Sequence, residues 1–299
     1  MYTNRSHSRN VFARTHLPAF RWVLVAVLAM MAYPVVLGDN SQADQVVKLS
    51  VDDPRPVAKA IETLQAKYGV VITYEDPRYL HEGDIKDVTE QVRKDLARYE
   101  KGKAPRVLIP KGGKIDIAYS VSPTTGKPEN LAALLQMLLD AHAANDNPGV
   151  FRVEQSGEIL HVVPAQAKNT EGQWVEQSSI LDARITLPEQ ERNLEETLQA
   201  ITRAVGQATQ ADIGIAGPPN LLIHSRTRLG ATHERARDVL VRALENSPRK
   251  ISWRLFYGPD LKHYALNIYL LPEQPSPEAT DPPPLPVDPS GSRRRRQNN

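Results

Sequence analysis

Residues 51–77 read VDDPRPVAKAIETLQAKYGVVITYEDP, and this stretch decides the fold. The β-rich run VVKLSVDD leads into it, and Pro54 and Pro56 mark a turn. After the turn, Val57, Ala60, Ile61, Leu64 and Tyr68 recur at helical spacing. Gly69 is placed to stop that helix, and VVITYE resumes as a strand. The stretch is therefore a strand, helix, strand unit.

The unit recurs. ETLQA occupies residues 62–66 and again 196–200, an offset of 134, and the second copy lies between ILDARITL and ADIGIAG. A second half-unit recurs at an offset of 105, where ENLAALLQMLLDA (129–141) aligns with ERARDVLVRALEN (234–246). Each of these helices precedes a hairpin, one turning at Ser156 and Gly157, the other near Gly258, Pro259 and Asp260. The expected fold class is α+β: two tandem repeats of a small β-α-β-β-α-β-β module, with helices packed on one face of each sheet. The offsets differ by 29, so the first copy carries an insertion, placed at about residues 80–115. Within it Ile85, Val88, Val92, Leu96 and Tyr99 predict an amphipathic helix, followed by strands at RVLIP and KGGKIDIAYSV.

The ends of the chain differ from its body. Residues 1–43 carry Arg5, Arg9, Arg14 and Arg21 ahead of an apolar run from Trp22 to Leu37. Sixteen residues fall short of the roughly 20 that span a bilayer, so the run reads as a signal peptide with cleavage after Gly38 or Ala43. The alternative reading is an N-terminal anchor. Either reading exports the body to the periplasm or the cell envelope. The absence of cysteine is compatible with export, because a body of this size does not depend on disulfides. From Pro272 onward, 28 residues hold eight prolines and few large apolar side chains, the composition of a disordered tail (273–299). It ends in Arg293, Arg294, Arg295 and Arg296, candidates for weak contact with an anionic surface. The organisation expected is residues 1–43 as leader, 44–165 as first module, 166–179 as linker, 180–272 as second module and 273–299 as tail. Trp174 in the linker is expected to pack on a module.

Charge excludes one class of partner. The chain has 37 basic and 35 acidic residues, but the first 43 and last seven residues hold eight Arg against one Asp, which leaves 29 basic and 34 acidic residues between them. The slightly acidic body has no electrostatic reason to hold a phosphate backbone, so nucleic acid is not expected as a partner.

Beyond this, VKLSVDDPRPVAKAIETLQAKYGVVITYE, with Ala60, Leu64 and Gly69 at the pattern A-x-x-x-L-x-x-x-x-G, resembles the short N-terminal domain of secretins and signalling TonB-dependent receptors. LAALLQMLLDAHAANDNPGVFRVEQSGEILHVVP is similar to that domain's second helix and closing hairpin. The resemblance implies a periplasmic interaction module without chemistry of its own and without a cofactor. Members of the family continue into a β-barrel or a ring-forming part, for which the tail is too short.

No catalytic motif competes with this reading. The eight histidines show no metal-ligand spacing, SPTTGKP lacks the first glycine and the Ser or Thr of a phosphate-binding loop, and G-x-S-x-G is absent. The densest polar cluster is Glu75, Asp76, His81, Glu82 and Asp84. As an enzyme or glycan-binding site it would make the protein a cell-wall hydrolase or sugar binder. As a docking patch, Tyr74, Glu75, Tyr79 and His81 would contact an envelope protein, since aromatic side chains with a polar tip are enriched at interfaces. The docking reading is the expectation taken forward.

Overall fold

A computed structural model describes residues 45–245, 247 and 249–272. The signal, cleavage-site, tail and arginine-run expectations fall outside these residues. The first half contains β1 (Gln45–Asp53), α1 (Pro56–Tyr68), β2 (Ile72–Glu75), β3 (Ile85–Asp87), α2 (Thr89–Val92), β4 (Leu108–Pro110), β5 (Gly113–Val121), α3 (Leu131–Ala144), β6 (Val150–Ser156) and β7 (Ile159–Lys168). The second contains β8 (Trp174–Glu176), β9 (Arg184–Asn193), α4 (Leu194–Thr209), β10 (Ile213–Ala216), α5 (Pro219–His224), β11 (Arg226–Arg235), α6 (Ala236–Glu245), β12 (Ile251–Gly258) and β13 (His263–Leu270). The fold class is α+β.

Local chemistry sets the helix ends. Pro56 opens α1, where a missing N–H costs nothing, and Gly69 closes it at φ 64°, its N–H donating to Gln65 O. Asn130 caps α3 by accepting from Ala133 N. α4 starts on a capping box, with Asn193 accepting from Glu196 N and Glu196 accepting from Asn193 N.

Both halves pair their strands by the same scheme. In the first, β1 and β5 form a two-stranded antiparallel ladder, while β2 runs parallel to β7 and β7 antiparallel to β6. In the second, β9 and β11 form the ladder, while β10 runs parallel to β13 and β13 antiparallel to β12. Helices α1 and α3 pack between their ladder and the other strands, and in the second half α4 does the same, with α6 against α4 and β11. Each helix pair is thus covered by strands on two sides, where the sequence suggested one.

The halves do not keep separate sheets. Strand β12 pairs in parallel with β2, giving the order β10-β13-β12-β2-β7-β6, with β8 also against β7. Their register matches Arg254 to Tyr74 and Leu255 to Glu75. Paired residues share a face. Tyr74 joins the core built around α1 and α3, whereas Leu255 joins the core built around α4 and α6. The two helix pairs consequently lie on opposite faces of one sheet. All four residues of β2 are buried, as expected for a parallel strand covered on both sides.

Two expectations need correction. The segment 166–179 is not a free linker: it completes β7, forms β8 and buries Ser179, while Trp174 stays 45% exposed beneath Lys168 Nζ, 5.1 Å from its ring centroid. The inserted helix shrinks to the single turn of α2 and a 3-10 turn at Leu96–Arg98, because Arg93 adopts an extended conformation (φ −88°, ψ 115°).

Candidate partner-binding site

The expected contact patch lies inside the protein. Tyr74, Glu75 and Tyr79 are 1%, 0% and 4% exposed, and only His81 is half-buried. The cause is the β2–β12 pairing, which places the end of β2 at the seam between the halves. Alternating side chains there point into two different cores.

Glu75 faces the second half. Arg237, on α6, donates from Nε to Oε1 at 2.7 Å and from Nη2 to Oε2 at 3.0 Å. Ser179 Oγ also donates to Oε2. Arg237 Nη1 reaches Asp182 at 2.7 Å and Glu154 at 2.9 Å, and Arg235 Nη1 joins Glu154 at 2.9 Å. Burial pulls the Arg237 guanidinium down, but the charge and hydrogen bonds of Glu75, together with the charges of Asp182 and Glu154, outweigh it and hold the group above its ordinary range.

Asp76 is paired within a separate network. Its Oδ2 accepts from Arg55 Nε at 2.7 Å and from Tyr257 N at 2.9 Å. Its Oδ1 accepts from Tyr74 Oη at 2.7 Å and Tyr79 Oη at 3.3 Å. Arg55 continues to Tyr257 O at 2.7 Å. Both tyrosines are pushed up by burial first and by the Asp76 charge second, so their hydroxyls stay protonated donors. Every lone-pair direction of Asp76 is occupied by these four donors. Asp84 is also buried and pairs with Lys168 at 3.3 Å, while Glu82 is exposed. Two members of the polar cluster read from sequence, Glu75 and Asp76, thus bind the halves together, while Asp84 pairs within the first half.

Sequence reasoning missed the partners of this cement: Arg55, Asp182, Arg237 and Tyr257. One signal was available. Arg237 falls on the apolar stripe of α6 with Ala236, Leu240, Val241 and Leu244, a position where a lone charge needs a buried partner.

The open surface lies elsewhere. Strand β9 pairs with β11 along one edge, and among the described residues nothing pairs with its other edge. Pro188 within β9 fits an edge strand, since it has no N–H to donate to a ladder. Beside this edge runs a groove of about 500 Å³, lined by Leu187, Pro188, Arg192, Ala200, Arg203 and Ala204. Ala200 and Ala204 sit one turn apart on α4 and keep its wall low. A second groove of about 410 Å³ runs along the other side of α4, beside the edge strand β10, with Ile213, Ile215 and Leu222 in its wall. Gln199 and Arg203 line both grooves. Arg203 is exposed and forms no ion pair among the described residues.

Among the described residues, no group of three or more His, Asp or Glu side chains is arranged to hold a metal ion, and no helix is long and apolar enough to cross a membrane. Comparison with known proteins finds no matching family model, no matching curated protein and no matching solved structure.

Proposed function

We propose that this protein is a noncatalytic docking scaffold of the cell envelope that takes up an extended segment of another protein along the free edge of β9. The observation that carries the reading is the contrast between two regions. The charged groups of residues 75–84 are largely consumed by internal pairs, whereas the β9 edge lies open beside a groove with a low alanine wall. Strand addition requires such an edge for its backbone hydrogen bonds and an adjacent groove for alternate side chains. The sequence patterns shared with the short N-terminal domain of secretins and TonB-dependent receptors support the same reading, as does an amino-terminal leader that would export the body.

A photo-crosslinking residue tests it. Placed at Gln190 in the groove, it is expected to trap a discrete envelope protein, and the Ala204→Trp change, which fills the groove, is expected to abolish the adduct. The same probe at Ser50, on the β1–β5 ladder, serves as control. Equal adducts at both positions, or an adduct indifferent to Ala204→Trp, would reject docking at β9.

A further inference from the structure

The strand order of the large sheet repeats, and the repeat stops at two open edges. The order β10-β13-β12-β2-β7-β6 divides into two triplets with the same pairing. β10 runs parallel to β13, which is antiparallel to β12, just as β2 runs parallel to β7, which is antiparallel to β6. Side chains obey the same equivalence. Ile213 and Ile215 of β10 face the core of their own helix pair, as Ile72 and Tyr74 of β2 face theirs. Residues 151–153 are FRV and residues 253–255 are WRL, and Phe151 and Val153 face one core as Trp253 and Leu255 face the other. β6 is therefore the counterpart of β12, and β10 that of β2.

Between the triplets, β12 joins β2 in parallel. The same two kinds of edge stand at the ends of the sheet, β6 at one and β10 at the other, and neither has a partner on its outer side among the described residues. Direction and face agree as well. Passing from one triplet to the next reverses both the strand direction and the face that carries the helices, so a second passage restores both. β6 of one copy and β10 of another can therefore meet in parallel, as β12 and β2 do.

At the inner junction β12 sends Arg254 onto α1, where it reaches Gln65 at 3.3 Å and Glu62 at 3.4 Å and is 8% exposed. The corresponding trough between α4 and β10 is the open groove of about 410 Å³, whose wall includes Glu195, Gln199, Thr202 and Asp212, two acids against the single base Arg203. Arg152, the counterpart of Arg254, is exposed on β6 and donates to Glu154 at 2.8 Å and to Pro164 O at 2.9 Å.

We propose that copies of this protein associate head to tail, β6 of one against β10 of the next, with Arg152 entering the acidic trough beside α4 as Arg254 enters the one beside α1. In the inner junction Arg254 lies level with Tyr74 and Leu255 with Glu75. Continuing that register sets Arg152 level with Ile215 of the next copy and Val153 level with its Ala216. A contact between two different patches does not close on a pair, so it adds copies in a row. It also covers two strand edges that otherwise stand open. Neither edge is that of β9, so the row and the docking at β9 stand or fall separately.

Cysteine pairing between copies tests the row, in a chain that has no cysteine of its own. Residues level on neighbouring strands lie within disulfide reach, and Val153 and Ala216 are both partly or fully exposed. Oxidation of the full-length Val153→Cys/Ala216→Cys variant with diamide should give a ladder of covalent dimers, trimers and longer rows. A mixture of the two single variants should give dimers only, since each then has one linkable edge. Either single variant alone should link at least about tenfold more slowly, by chance encounter. The proposal is overturned if a single variant links as fast as the mixture, which would mark a two-fold contact, or if the double variant stays monomeric. In sedimentation velocity, Arg152→Glu should weaken self-association of the cysteine-free chain about tenfold at an unchanged melting midpoint. Unchanged association in Arg152→Glu would overturn the entry of Arg152 into the trough, and a parent chain that sediments as a monomer at every concentration would overturn the row itself.

Discussion

The guanidinium of Arg237 grips both carboxylate oxygens of Glu75, at 2.7 and 3.0 Å, across 162 residues of sequence and with neither side chain exposed. The pair joins the helix layer of the second half to a strand of the first. Removing Arg237 leaves the Glu75 carboxylate buried with only the Ser179 hydroxyl to answer it, which costs about 3–5 kcal/mol, whereas removing Glu75 leaves Arg237 its pairs with Asp182 and Glu154. Arg237→Met is therefore expected to lower the urea midpoint sharply, and Glu75→Leu alone to lower it less. The double variant Arg237→Met/Glu75→Leu should recover part of the loss, because two apolar groups leave no stranded charge. Chemical denaturation of the four proteins measures the coupling. Additive effects would show that the pair does not weld the halves.

Because β12 and β2 share a sheet, the halves are expected to unfold together. Fluorescence from Trp253, in the second half's core, and far-ultraviolet circular dichroism should report one coincident transition. Two separated transitions would mean that the shared sheet is no cooperative unit.

Much of this was legible in the sequence, and the boundary of legibility has a physical reason. The order strand, helix, strand, strand, helix, hairpin follows from periodicities within 20 residues of one another, and Gly69, Gly157 and the turn after Gly258 punctuate it as their chemistry dictates. The pairing of Arg254 with Tyr74 could not be read this way, since no local pattern says which open edges will meet. The 75–84 cluster looked like a surface because Glu, Asp and Tyr lie close together in sequence. Its burial depends on Arg55 and Arg237, which reach it from the start of α1 and from α6. The inserted helix fails for a different reason: bonds that Arg93 makes within its own segment, to Asp95 and Tyr99, replace the helix that the sequence favours.

Two buried histidines make stability pH-dependent. His142 and His161 are each lowered from 6.5 to about 4, burial being the main cause, with Arg237 adding to it at His161. Both are neutral in the fold, while the unfolded chain takes up protons below pH 6.5. Their contribution is thus fully present above 6.5 and is lost as pH falls toward 4. Between pH 6.5 and 5 the loss is expected to be on the order of 3 kcal/mol for the two together. His161→Gln should roughly halve the slope of the urea midpoint against pH in that window. An unchanged slope would mean that His161 does not stay neutral in the fold.

The segment between β3 and β4 should be dispensable to the body. Replacing residues 88–107 by Asn-Gly would close β3 onto β4 as a two-residue hairpin, in keeping with their antiparallel pairing of Asp87 with Leu108. Of the apolar side chains removed, only Val88 is buried, and it belongs to neither core. Ile85, which packs against the second half's core, is retained. Shortening the loop also lowers its closure entropy. The variant is expected to keep its unfolding free energy within about 1 kcal/mol of the parent and to keep any capture at Gln190. A loss of several kcal/mol would show that the insertion is part of the fold's support. Lost capture with stability intact would place the partner's contact on the insertion instead of β9.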